Sequence, residues 1–109
     1  MNNFSTVERI EKLKEFLEQN PHDSFVQHAL ALEYIKAGDD PAAQNLFEDI
    51  LQREPGYVGS YYHLAKLFER NGNAEAAIKW YEKGMDEAKK AGEMHAYNEL
   101  KSAYEELMF

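Results

Sequence analysis

The chain has 109 residues, with 12 basic and 20 acidic side chains, no cysteine and a formal net charge of −8. That length supports one domain with its own core, and the lack of cysteine excludes disulfides and thiolate metal sites. An acidic surface repels phosphate backbones, so we expect no nucleic acid among the partners. Because no apolar run approaches the roughly 20 residues of a spanning helix and no signal layout is present, we expect a cytoplasmic protein that does not enter a membrane.

The first predicted helix covers residues 5–20. Its apolar residues recur at three- and four-residue steps and therefore share one face. Ser5 and Glu8 have the spacing of a capping box at the helix start. Asn20-Pro21 ends the segment, because a residue before proline is disfavoured in the helical conformation. The apolar face consists of Val7, Ile10, Leu13, Phe16 and Leu17.

Two further helices are predicted over residues 24–37 and 41–53. Gly38 supplies the left-handed residue that closes the first of them. Asp40-Pro41 has the chemistry of an N-cap followed by a first-turn proline, and Pro55-Gly56 ends the second helix.

The second half of the chain predicts three more helices, over residues 58–70, 74–91 and 93–108. Asn71-Gly72-Asn73 forms the first turn between them, with Asn73 as N-cap, and Gly92 closes the long middle helix. No segment alternates apolar and polar residues over the length of a strand, so we expect no sheet.

A period of 34 residues relates the two halves of the pattern. Pro21 recurs at Pro55, and Gly38 recurs at Gly72. Five further pairs share this spacing, all of them apolar: Leu30/Leu64, Ala31/Ala65, Tyr34/Phe68, Ala43/Ala77 and Phe47/Tyr81. One helix pair cannot bury its apolar face alone, so stacked repeats are expected to share a continuous core.

These residues resemble the tetratricopeptide repeat family, whose signature is W-x2-L-G-x2-Y, then A-x3-F, then P. The first repeat carries it as Gln27, Leu30, Ala31, Tyr34, Ala43, Phe47 and Pro55. The second carries it as Tyr61, Leu64, Ala65, Phe68, Ala77, Tyr81 and Lys89. The departures are Gln27 for the aromatic residue, alanine for glycine in both repeats, and Lys89 for the proline, which predicts a longer fifth helix.

The resemblance implies an all-α fold of antiparallel helix pairs, stacked as a short right-handed solenoid of about six helices. A single domain over 1–109 would comprise capping helices at 5–20 and 93–108 and full repeats at 21–54 and 55–91. Arg9 and Lys101 stand at small-residue positions, so each end helix is expected to turn one side to solvent. Met1 and a half repeat at each end favour a complete unit.

The resemblance also implies a non-catalytic scaffold that binds a protein or peptide segment in a concave groove. Leu32 and Ile35 favour such a groove, because they are apolar where packing does not require it. The open alternative is that the N-terminal helix itself fills the groove. The residues predicted to face it are Phe25, His28, Leu32, Ile35, Lys36, Tyr62, Lys66, Glu69, Arg70, His95 and Asn98, followed by Ser102 and Glu105.

Chaperone-binding members of the family hold a terminal carboxylate with lysines and asparagines. The matching positions here are His28, Leu32, His63, Lys66, His95 and Glu99. Only Lys66 fits, so the sequence argues against that use.

No residue pattern predicts catalysis, a cofactor or a metal. No two of the four histidines, at positions 22, 28, 63 and 95, lie three or four residues apart as a metal pair on one helix would. The serines lack a nucleophile-elbow context, and the isolated glycines form no phosphate loop. The alternative to a peptide-binding scaffold is a homodimerisation module, which the apolar end Leu107-Met108-Phe109 favours.

Overall fold

The computed structural model describes the backbone of residues 3–109 and the side chains of residues 5–109. These residues form helices only, with no strand among them, and the all-α prediction is confirmed. Every predicted helix end lies within two residues of the observed one, and α5 begins and ends as predicted. The helices are α1 (Asn3–Gln19), α2 (Ser24–Lys36), α3 (Asp40–Arg53), α4 (Gly59–Arg70), α5 (Ala74–Ala91) and α6 (Met94–Met108).

Two predicted N-caps are wrong, and both errors have a local cause. Ser5 lies inside α1, where its Oγ accepts a hydrogen bond of 2.8 Å from Arg9, so it does not cap the helix. Asp40 already belongs to α3, and the cap is Asp39, whose Oδ1 accepts from the Ala42 amide at 3.2 Å. The helix therefore starts one residue earlier than the Asp-Pro pair indicates.

The ends of α2 and α4 are built alike, as the period predicts. Gly38 and Gly72 have φ values of 83° and 86°, in the left-handed region that favours glycine. In both turns the residue after the glycine donates its amide to a carbonyl five residues back, from Asp39 to Tyr34 and from Asn73 to Phe68. These bonds satisfy carbonyls that the helix end leaves unpaired.

The chain divides into two compact units, Met1–Gln52 and Arg53–Phe109. In the first unit α1 packs on α2, and α2 is tied to α3 by a hydrogen bond of 2.8 Å from Gln27 to Asp49. In the second unit α5 packs against both α4 and α6. The prediction of a single domain over 1–109 stays a prediction.

Small side chains occupy the close helix crossings that the repeat register predicts. Ala31, Ala43, Ala65 and Ala77 are fully buried. The rings that fill the adjoining space, Phe47, Tyr61 and Tyr81, are also completely buried. None of the described helices is both long and apolar enough to span a membrane.

Candidate functional site

The predicted binding residues of the first unit form one stripe along α2. Steps of three and four residues place Phe25, His28, Leu32 and Ile35 on neighbouring turns of the same side. Phe25 is 74% exposed, whereas Leu32 and Ile35 are half-buried. His28 is less available than the sequence suggests, because its ring packs edge-on against the buried Phe47 ring at 5.4 Å.

Lys36, at the end of the same stripe, is paired within the chain. Its Nζ lies 3.4 Å from Oε2 of Glu33, which also accepts the Arg9 guanidinium of α1 at 3.1 Å. Glu33 itself is buried. A partner that recruits Lys36 must therefore compete with this carboxylate.

Three predicted residues of the second unit form one connected row on α4. The Lys66 ammonium lies 5.6 Å from the centre of the Tyr62 ring and 3.7 Å from Oε1 of Glu69. All three side chains are half-buried. Arg70, the fourth predicted residue of α4, is exposed at the end of the row. We call Tyr62, Lys66, Glu69 and Arg70 the α4 row.

The α4 row is anchored in the core through Glu69. The hydroxyl of the fully buried Tyr81 donates to Oε1 of Glu69 at 2.8 Å. Burial raises the pKa of Tyr81 well above its ordinary value, and the hydrogen bond and charge of Glu69 raise it further. Tyr81 therefore stays protonated and holds the Glu69 carboxylate in one position.

His63 connects α4 electrostatically to α6. Its ring packs at 87° to the Tyr62 ring, with the centres 5.6 Å apart. Burial lowers the pKa of His63, and the nearby Glu99 carboxylate of α6 opposes this effect. The predicted residues His95 and Asn98 of α6 are both exposed. The α6 side chain whose charge acts on His63 is Glu99.

Gln27, the unexplained departure from the repeat signature, makes a structural contact. Its side chain is buried and donates to Asp49 across the α2–α3 crossing. The equivalent Tyr61 of the second repeat is also buried, and its hydroxyl donates to the carbonyl of Pro55. Burial, with a smaller effect from Glu87, raises the pKa of Tyr61 to about 12. Both residues serve packing, and neither is available to a ligand.

The arrangement offers surfaces for contact, without the grouping of side chains that metal chemistry requires. Among the described residues, no three histidine or acidic side chains cluster as ligands of a metal ion would. The α4 row combines an aromatic ring, two cations and one fixed carboxylate. Such a set can recognise a protein surface through stacking, ion pairing and hydrogen bonding.

Comparison with known proteins identifies the fold. Residues 28–91 match the family model described as tetratricopeptide repeat. The crystal structure of a tetratricopeptide repeat domain protein from Salinibacter ruber has a TM-score of 0.76 and 37% identity, covering 79% of this chain and 96% of that one. The solution structure of a tetratricopeptide repeat domain protein from the same organism has a TM-score of 0.77 and 38% identity, covering 80% of this chain and 88% of that one. MamA shares the fold, with a TM-score of 0.75 at 22% identity over 84% of this chain and 55% of that one.

This chain is thus a helical repeat protein, and it belongs to the tetratricopeptide repeat family. Members of this family are generally non-catalytic scaffolds that mediate protein–protein interaction. The chain is also 26% identical over 70 residues to the mouse interferon-induced protein with tetratricopeptide repeats 3. That match covers 64% of this chain and only 17% of the mouse protein.

Proposed function

We propose that this chain is a non-catalytic scaffold that binds a segment of a partner protein on its α4 row. The observation that carries the proposal is the preorganised arrangement of Tyr62, Lys66 and Glu69. Lys66 sits over the Tyr62 ring, and Glu69 is held by the buried Tyr81. A surface whose side chains are fixed before binding loses less conformational entropy when a partner arrives.

The chemistry of the row defines the partner segment. Tyr62 offers a half-exposed ring for an apolar side chain, and Arg70 offers a planar cation for a carboxylate. Lys66 adds a second positive charge beside the Glu69 carboxylate. An extended or helical segment with apolar anchors and one acidic residue fits this set. The α2 stripe, with exposed Phe25 and half-exposed Leu32 and Ile35, gives the first unit an apolar surface of the same kind.

The experiment is a selection of peptides from a displayed random library, followed by affinity measurement for each variant. Tyr62→Ala and Arg70→Ala should each weaken the selected peptide by about 2 kcal/mol or more, because aromatic and arginine residues commonly dominate binding. Lys14→Ala is the matched control, since Lys14 is exposed on α1 in the other unit. Loss of thermal stability without loss of affinity would show that the row is structural, and the proposal would fail.

A homodimerisation module is the alternative function. It is favoured by the exposure of Met108 and Phe109, which are 45% and 96% exposed at the end of α6. The leading proposal includes a cytoplasmic location, which the lack of cysteine supports. It also excludes nucleic acid as a partner, because the net charge is −8.

A further inference from the structure

A second surface lies on α5. Ala76, Lys79, Trp80 and Lys83 line a shallow cavity of about 270 Å³, and we call this set the Trp80 surface. The four residues recur at steps of three and four along the helix, so they occupy neighbouring turns of one side. Trp80 lies at the surface and is half-buried.

The indole ring of Trp80 packs against the core on one side. It packs on the ring of the fully buried Tyr61, with the centres 6.0 Å apart at an angle of 41°. No hydrogen bond of the indole N–H is present within the described part of the chain, although a tryptophan donor commonly finds a partner. The Trp80 surface thus offers a rigid apolar ring and an available donor.

Two lysines without acidic partners flank the ring. The Lys83 ammonium lies 5.7 Å from the centre of the Trp80 ring, and Lys79 is exposed one turn earlier. Neither forms an ion pair among residues 5–109, in a chain that carries eight more acidic than basic side chains.

Three of the four acidic residues of α5 contact groups outside the Trp80 surface. Glu82 accepts a hydrogen bond from Tyr104, and Asp86 and Glu87 both contact Lys90. Glu75 lies in the first turn, where the positive end of the helix dipole stabilises a carboxylate. Within residues 5–109, the ammonium groups of Lys79 and Lys83 therefore remain without a carboxylate partner.

We propose that the Trp80 surface is a second docking site, which binds an acidic segment of a partner protein. An apolar side chain of that segment rests on the indole ring, and a carboxylate lies between the ammonium groups of Lys79 and Lys83. Side chains four residues apart on a helix have Cβ atoms about 5–6 Å apart, so both ammonium groups can reach one carboxylate. The indole N–H donates to a further acceptor of the segment.

Fluorescence of Trp80 tests the proposal directly, because it is the one tryptophan of the chain. The probe is a synthetic peptide of alternating leucine and glutamate, compared with the same peptide carrying glutamine. The glutamate peptide should change the emission saturably, and its affinity should fall as salt is added, because salt screens exposed charges. The glutamine peptide should bind roughly tenfold more weakly or worse.

Paired variants separate this site from a general loss of positive charge. The double variant Lys79→Gln/Lys83→Gln should lose roughly tenfold in affinity for the glutamate peptide. Lys12→Gln/Lys14→Gln, at two exposed positions of α1, is the matched control with the same charge change and should keep wild-type affinity. Both pairs lie on helix surfaces, and circular dichroism verifies that each variant folds.

Four outcomes would overturn the proposal. The first is equal binding of the glutamate and glutamine peptides, or binding of neither. The second is an unchanged affinity in the Lys79/Lys83 variant. The third is the same emission change with a thymidine oligonucleotide but not with the peptide, which would indicate a polyanion site. The fourth is an emission change with protein concentration alone, which would indicate a second copy of this chain as the occupant.

Discussion

At the residue scale, one position of the repeat signature is filled in two chemically different ways. Tyr61 places a large ring in the core of the second repeat, whereas Gln27 places an amide at the equivalent position of the first. A buried amide without a partner costs about 1–3 kcal/mol, and Asp49 removes that cost by accepting its hydrogen bond. The sequence shows the departure at Gln27 but not its partner, which lies 22 residues away on a different helix.

Gly84 is a second residue whose role the spacing alone did not reveal. A Cβ at this position would lie 2.6 Å from Cβ of Tyr61 and 3.1 Å from Cδ1 of Leu100. Gly84→Ala should therefore lower the free energy of unfolding by about 1–2 kcal/mol, because an overpacking cost of about 1–3 kcal/mol exceeds the gain of about 0.5–1 kcal/mol in helix propensity. Urea denaturation measures the change.

Gly59→Ala is the control for this prediction. Gly59 begins α4, and a Cβ there meets nothing within 4 Å. The control should be neutral or stabilising. Equal stability of the Gly84 and Gly59 variants would mean that α4 and α6 yield easily around α5.

Because the pKa of His63 is shifted, we expect the free energy of unfolding to depend on pH. Burial lowers its pKa below the ordinary 6.5, so the unfolded chain takes up the proton at a higher pH than the folded chain does. The contribution of His63 is fully present above pH 6.5 and is lost as the pH falls through the lower folded pKa. Urea denaturation from about pH 8 to about pH 5 should show this decline, and His63→Gln should reduce it. His95→Gln, at an exposed position on α6, should retain the wild-type slope, and an identical slope in both variants would contradict the assignment.

At the element scale, the C-terminal ends of α2, α4 and α5 were predictable because each carries its own local chemistry. Gly38, Gly72 and Gly92 all adopt positive φ values, which other residues rarely adopt, and each closes a helix as the pattern indicates. Contacts between helices were harder to predict from the sequence. The Arg9–Glu33 pair and the Tyr81–Glu69 hydrogen bond depend on crossing geometry, which no local motif specifies.

The long helix α5 depends on its N-cap. Asn73 accepts a hydrogen bond of 3.1 Å from the Ala76 amide, which has no partner inside the helix. Asn73→Ala should cost about 1 kcal/mol of stability, measured by thermal denaturation. Asn45→Ala serves as the control, because Asn45 is exposed within α3. If both variants melt at the same temperature, the cap contributes nothing measurable.

At the scale of the whole molecule, the candidate sites follow the distribution of charge. Most lysines and arginines with close contacts have acidic partners, as in Lys36–Glu33, Lys66–Glu69 and Lys90–Asp86. The repeat register was predictable from the sequence because it depends on small and large residues at a fixed period. The pairing of individual charges was not, and it decides which cations remain for a partner. Lys79 and Lys83 could be identified as candidate binding residues only from the structure, which shows that Glu82, Asp86 and Glu87 contact other side chains.

The oligomeric state distinguishes the scaffold from the homodimer, and we expect a monomer. Met94 and Met108 lie about 40° apart around α6, yet the same face also carries the exposed residues Asn98, Lys101 and Glu105. Among the described side chains of α1, Val7 and Phe16 are the exposed large apolar residues, and they lie about 180° apart. The prediction that both belong to one apolar face is therefore wrong. Within residues 5–109, neither helix therefore presents the continuous apolar stripe that a stable helix–helix interface requires. Light scattering over a concentration series should give the mass of one chain, 12.6 kDa. The control for a general loss of surface hydrophobicity is Phe25→Ser, which removes an exposed ring from α2. A dimer that dissociates in the Met108→Ser/Phe109→Ser variant but not in this control would instead establish self-association through the end of α6.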